Sequence, residues 1–173
     1  MGTSLMEGKS WIFNKILENN PRKILDIGAG CGTYSGLLKR KGYVYESIDA
    51  IEIWKPYIEE FQLDSEYDNV YNVDVRNWNN FDYDLVIFGD VLEHMKRSDA
   101  VLVWNAAAEQ AGSAVISIPI VSYPQGELNG NPYERHIEEH WTHDEIINTF
   151  SHIDDYFAGE IIGSYWANFK EIL

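Results

Sequence analysis

Residues 24–32 read Ile24-Leu25-Asp26-Ile27-Gly28-Ala29-Gly30-Cys31-Gly32, an apolar run closed by three alternating glycines, with an acid two residues before the first of them. A short apolar run bounded by glycine reads as a buried strand. Alternating glycines let the turn that follows take positive φ and let a ligand come close to bare main chain. A helix is expected next, from Thr33 to Lys41 with Gly42 as its stop, and the N–H groups of its first turn have no partner within the helix. Strand, glycine turn and helix start together make the first βα unit of a nucleotide-binding α/β sheet. Spacing separates two versions of that unit. A dinucleotide fingerprint needs Gly-x-Gly-x-x-Gly, and the third glycine position is here occupied by Thr33.

Composition narrows the setting. A chain of 173 residues, 45% hydrophobic and 14% aromatic, suits one well-buried domain over residues 1–173. No apolar run approaches membrane-spanning length, and the charged first 18 residues do not read as a signal peptide. The single cysteine, Cys31, excludes an internal disulfide and fits a reducing cytoplasm. Acids outnumber bases 28 to 13, a net charge of −15, which argues against a partner gripped mainly through phosphates. The basic cluster Lys39-Arg40-Lys41 ends the first helix of the sheet, away from the expected ligand crevice, and suits the helix C-terminal dipole.

Along the chain, helical and strand patterns alternate, which implies parallel strands with right-handed crossovers. An N-terminal helix over Lys9 to Asn19 lies within residues 1–20. Strands are expected at Lys23 to Ile27, Tyr43 to Asp49, Asn69 to Val73, Tyr83 to Gly89 and Ser113 to Ile118. Helices are expected from Pro56 to Gln62 and from Ser98 onward with Gly112 just past its end, with another opening at the capping box Thr142-His143-Asp144-Glu145, flanked by a Trp141–Ile146 staple. A final β pair, Tyr156 to Ile162 and Tyr165 to Phe169, is expected to turn at Gly163-Ser164. Between the fifth strand and the capping box, residues 120–141 form a loop rich in Gly, Pro and Asn, long enough to imply a functional lid.

Asp26-x-Gly28-x-Gly30-x-Gly32 after an apolar strand resembles motif I of the class I S-adenosylmethionine-dependent methyltransferases, and the element order extends the resemblance over essentially the whole chain. It implies a doubly wound, mostly parallel seven-stranded sheet with helices on both faces and a C-terminal antiparallel hairpin. It also implies S-adenosylmethionine as cofactor and S-adenosylhomocysteine as product. Acids fall at or just after the expected ends of the first four strands: Asp26, Asp49, Asp74 and Asp90. Gly28 and Gly30 would offer backbone to the cofactor. Asp49 is expected to accept from both ribose hydroxyls, with Ile51 on the adenine face. By resemblance Asp74 would accept from the adenine amine, with the Val75 N–H on the ring. Asp26 is expected at the cofactor's amino end, and Asp90 near its methionine portion.

The acceptor side is expected to be built from Asp90-Val91-Leu92-Glu93-His94 and the lid, where Tyr133, Glu134, Arg135, His136 and His140 concentrate polar groups. His136 and His94 are the candidate general bases, and the lid is expected to select the acceptor rather than the cofactor. Glu93, His94, His136 and His140 also carry a partial resemblance to the metal-dependent methyltransferases of small-RNA 3′-terminal riboses. That family begins its run with Glu where this chain has Asp90. Structural duties for these side chains and a donor that needs no Lewis acid lead to an expectation of no metal. The reading is methyl transfer to an oxygen or nitrogen of a small molecule by a monomer or homodimer. Its rivals are metal-assisted RNA ribose methylation, a non-catalytic cofactor-binding module, and an oxidoreductase disfavoured by the glycine spacing.

Overall fold

The computed structural model describes residues 5–170. Its strands are β1 (Lys23–Ile27), β2 (Ser47–Ile51), β3 (Asn69–Tyr71), β4 (Leu85–Gly89), β5 (Ser113–Pro119), β6 (Ile153–Ala158) and β7 (Ile162–Asn168). Its helices are α1 (Lys9–Asn19), α2 (Thr33–Arg40), α3 (Lys55–Glu60), α4 (Leu63–Glu66), α5 (Arg97–Gln110) and α6 (His143–Thr149). The strands form one seven-stranded sheet in the order β3-β2-β1-β4-β5-β7-β6. The first five are parallel, and β7 enters antiparallel between β5 and β6. Strand order reverses between β1 and β4, so a crevice opens at their carboxyl ends.

Period-two alternation sorts the apolar residues into a layer on each sheet face. Val86 and Phe88 of β4 pack with Trp104, Trp141 and Phe150 from the α5 and α6 side. Leu85 and Ile87, on the opposite face, join Ile12, Ile16, Tyr34 and Leu38 from α1 and α2. This explains why β4 reads as a continuous apolar run: a central parallel strand is covered on both sides.

Several boundaries differ from those expected, and one of them moves the site. The second strand starts at Ser47, paired with Lys23 at the start of β1, rather than at Tyr43. Tyr43 instead closes the end of α2, its N–H donating to Leu38 O at 3.0 Å and its hydroxyl to Pro21 O at 2.8 Å. Asp49 therefore lies mid-strand, beside Leu25 and Asn69, and the residue beyond the end of β2 is Glu52. The expected second helix divides into α3 and α4 at Gln62, which takes φ 51°. The final hairpin turns at residues 159–161 rather than at Gly163-Ser164, because the Glu7 carboxylate accepts the N–H groups of Glu160, Ile161 and Ile162 at 2.6–2.9 Å. Gly163 lies within β7, where a Cβ would come within 2.7 Å of Ile120.

Candidate active site

A cavity of about 430 Å³ occupies the crevice. Its floor is the glycine turn, with Gly28, Gly30 and Gly32 at φ 68°, 52° and 75°. The Gly28 and Ala29 N–H groups donate to Ile51 O, which ties the turn to the end of β2. A Cβ on Gly30 would meet nothing nearer than Gly28 O at 3.8 Å, so glycine there keeps the main chain bare toward the cavity and accommodates the positive φ.

Glu52 is the acid beside this turn. Buried to 4% exposure, it accepts the Gly30 N–H at 2.9 Å through Oε2 and the Trp54 N–H at 2.7 Å through Oε1. Burial raises its pKa, opposed by those two N–H donors. Both oxygens keep a lone pair, and the side chain lines the cavity. Asp49, the acid expected here, does not line it: its carboxylate is turned into the sheet, accepting from Tyr83 Oη at 2.8 Å and Asn69 Nδ2 at 2.9 Å. β2 runs on to Ile51, which places Glu52 rather than Asp49 at the strand end, and the register that sets this against Lys23 is a tertiary pairing with no local signal in the sequence.

Asp26 is also turned away from the cavity. It is buried beneath the glycine turn and accepts from Tyr67 Oη at 2.6 Å, with burial raising its pKa to about 7. Ile51, Asp74 and Val75 line the end expected for adenine. Asp74 caps the 3-10 turn at Val75–Asn77 through the Arg76 N–H, and the Arg76 guanidinium holds its carboxyl below the ordinary range.

At the end of β4, Asp90 takes φ 55° and its carboxylate edges the cavity. Oδ1 accepts from Ser117 Oγ at 2.8 Å and Oδ2 from Lys9 Nζ at 3.2 Å. The 3-10 turn Leu92–His94 then presents Glu93 and His94. Ligand atoms of Glu93, His94 and His136 lie within 4.8 Å of one another. His94 Nδ1 is 3.2 Å from Arg135 O, and His136 Nδ1 is 2.6 Å from Tyr123 O. A carbonyl only accepts, so each Nδ1 carries the proton and each neutral ring leaves Nε2 bare. Burial lowers the pKa of both rings. Glu93 is 2% exposed, its Oε2 has no hydrogen-bond partner among the described residues, and burial with the nearby Asp90 charge pushes its carboxyl well above the ordinary range.

The lid supplies Tyr133, Glu134 and His136, together with Tyr123 and Gln125, which no motif in the sequence marks. It is anchored to the site by main chain, since the Ile137 and Glu138 N–H groups both donate to Glu93 O. Arg135 and His140 do not line the cavity; Arg135 is exposed and pairs with Glu127 at 3.3 Å. Tyr133 packs on Trp54 with ring centres 6.0 Å apart, so the lid also reaches the Glu52 side of the cavity. The capping box at Thr142 forms as expected.

Residues 9–156 match the methyltransferase-domain family. No curated protein sequence matches the chain significantly. Among solved structures, the N-terminal domain of EvdMO1 with S-adenosylhomocysteine bound is 12% identical, with a TM-score of 0.66 over 95% of this chain and 82% of that one. The Burkholderia thailandensis 1,6-didemethyltoxoflavin N1-methyltransferase is 18% identical, with a TM-score of 0.65 over 94% and 77%. The methyltransferase domain of a bacterial Hen1 protein, CtHen1-CN, is 16% identical, with a TM-score of 0.67 over 92% and 96%. Among the described residues no helix is long and apolar enough to cross a membrane. With the glycine turn, the strand-end acid and the cavity at the switch point in place, the chain belongs to the methyltransferase-domain family and is a class I S-adenosylmethionine-dependent methyltransferase.

Proposed function

We propose that the enzyme methylates an oxygen or nitrogen of a small-molecule acceptor held between the lid and the turn bearing Glu93 and His94. The observation that carries this reading is one continuous cavity, which joins the glycine turn and Glu52 to His94 and His136. When bound, S-adenosylmethionine supplies a sulfonium methyl for in-line transfer to an acceptor lone pair. Glu52 takes the ribose hydroxyls, Asp74 and the Val75 N–H take the adenine edge with Ile51 on its face, and the main chain of Gly28 and Gly30 takes the methionine portion. Asp90 stands at the transfer end. His136 or His94 accepts the proton of a hydroxyl nucleophile through Nε2, and both rings are neutral near pH 7 because burial depresses them. Glu93, Tyr133 and Glu134 position the acceptor. Screening small-molecule pools for methyl transfer, with His136→Ala as comparison, tests the reading. Cofactor bound normally with no transfer to any small molecule would overturn it.

A second reading rests on the convergence of Glu93, His94 and His136. Two imidazoles with bare Nε2 atoms, each held through Nδ1 by a carbonyl, and a buried carboxylate oxygen without a partner fit the donor set of a divalent ion. Such an ion would polarise an acceptor hydroxyl, as metal-assisted ribose methylation of RNA requires. The net charge of −15 disfavours an RNA partner, and Asp90 is engaged with Lys9 and Ser117 rather than offered as a further ligand. Transfer to RNA that is lost to a chelator and restored by a divalent ion would select this reading. Transfer to a small molecule that is indifferent to chelator would dismiss it.

A further inference from the structure

Lys9 is the most deeply buried cation in the structure, at 1% exposure, and the roles above do not use it. It opens α1, which crosses the sheet next to β7, and its ammonium reaches the end of β4. Nζ lies 2.9 Å from Tyr34 Oη, 2.9 Å from Ser117 Oγ and 3.2 Å from Asp90 Oδ2. An ammonium has three hydrogens, so every one is assigned within the protein. Lys9 does not line the cavity; Asp90 does. Burial pulls the lysine pKa down, but Tyr34 and Asp90 hold it above its ordinary value, so the cation stays charged. A buried ammonium costs solvation that an apolar residue would not. Its return is a carboxylate held by two donors in left-handed backbone at the point where a sulfonium becomes a neutral thioether.

We propose that Lys9 is a positioning residue that neutralises Asp90 and thereby sets how strongly the site prefers the sulfonium cofactor over its thioether product. S-adenosylmethionine carries one more positive charge than S-adenosylhomocysteine, and both otherwise make the same contacts. With Lys9 in place the Asp90 charge is balanced from behind, and the pocket discriminates weakly on that charge. Without it, the carboxylate faces the sulfonium uncompensated. The inference rests on the cofactor assignment of this cavity, but not on the identity of the acceptor.

The test is calorimetry of both ligands on the full chain, read as the ratio of their Kd values. Lys9→Met should shift the ratio toward S-adenosylmethionine by about 5- to 10-fold, the order expected of one uncompensated charge across a partly solvated pocket. Lys9→Arg should keep the wild-type ratio. Asp90→Asn, which leaves Lys9 unbalanced, should shift the ratio by a similar factor the other way, and it keeps the proposal falsifiable if Lys9→Met does not fold. A merely structural lysine would weaken both ligands equally. An unchanged ratio in folded Lys9→Met or in Asp90→Asn, or an arginine variant that behaves like methionine, would overturn the inference. Wild-type protein that binds neither ligand would overturn the cofactor assignment itself, and this inference with it.

Discussion

Replacing Glu52 by glutamine keeps the side chain's shape and removes its charge. In the native site each carboxylate oxygen accepts one backbone N–H, from Gly30 at 2.9 Å and from Trp54 at 2.7 Å, which leaves one lone pair on each for a ribose hydroxyl. An amide nitrogen in place of either oxygen faces an N–H donor and cannot accept from the sugar. One ribose bond is then lost, the other weakens without the charge, and the glycine turn loses one of its ties. Hydrogen bonds to a charged group contribute about 1.5–3 kcal/mol each, so a loss of roughly 2–4 kcal/mol is expected, or about 30- to 800-fold in Kd for S-adenosylmethionine. Asp49→Ala is the matched control. It strands the buried Tyr83 hydroxyl, while the exposed Asn69 amide can turn to water, which should cost roughly 1–3 kcal/mol of stability and lower Tm by about 3–10 °C. Its cofactor affinity, measured on folded protein, should stay within a few-fold of wild type. Calorimetry and thermal melts on the two variants should give opposite patterns. An Asp49→Ala protein that loses affinity while Glu52→Gln binds normally would refute the assignment of the ribose to Glu52.

Gly30→Ala places a methyl where the main chain faces the cavity at φ 52°, so cofactor binding should fall at least tenfold while unfolding stability drops by only about 1–2 kcal/mol; undiminished affinity would mean that the glycine serves the turn alone. Asp26 has a folded-state pKa of about 7, above the value near 3.9 expected unfolded, so the folded protein keeps the proton that the unfolded chain releases. Its contribution is intact below about pH 4 and is lost as pH rises toward 7. Asp26→Asn, which still accepts from Tyr67 and cannot ionise, should flatten that decline by up to about 4 kcal/mol in denaturant unfolding between pH 4 and 8, and parallel profiles would count against the buried acid. His136→Ala should depress methyl transfer and leave S-adenosylmethionine affinity within a few-fold, whereas Tyr133→Ala should weaken the cofactor as well, because Tyr133 packs on Trp54. Equal behaviour of the two variants in both assays would argue that the lid acts as one piece.

What the sequence determined alone was local in origin. The glycine spacing of residues 28–32, the continuous apolar run of β4 and the Thr142 capping box each depend on a few consecutive residues, and each appears in the fold as read. Alternation of helical and strand patterns was enough to imply a parallel sheet and to place the crevice, because chirality leaves few ways to connect such elements. Tertiary structure decided which acid meets the cavity. Asp49 and Glu52 are both plausible strand-end carboxylates in sequence. The register of β2 against Lys23 turns one toward Tyr83 and leaves the other beside the glycine turn, and in a strand a shift of one residue exchanges faces. Long-range pairing also located the last turn, where Glu7 captures three amides more than 150 residues away. It placed Lys9 behind Asp90, a contact between segments whose neighbouring residues give no sign of one another. Patterning along a chain reports what each segment buries, whereas the partner it meets depends on how the sheet closes.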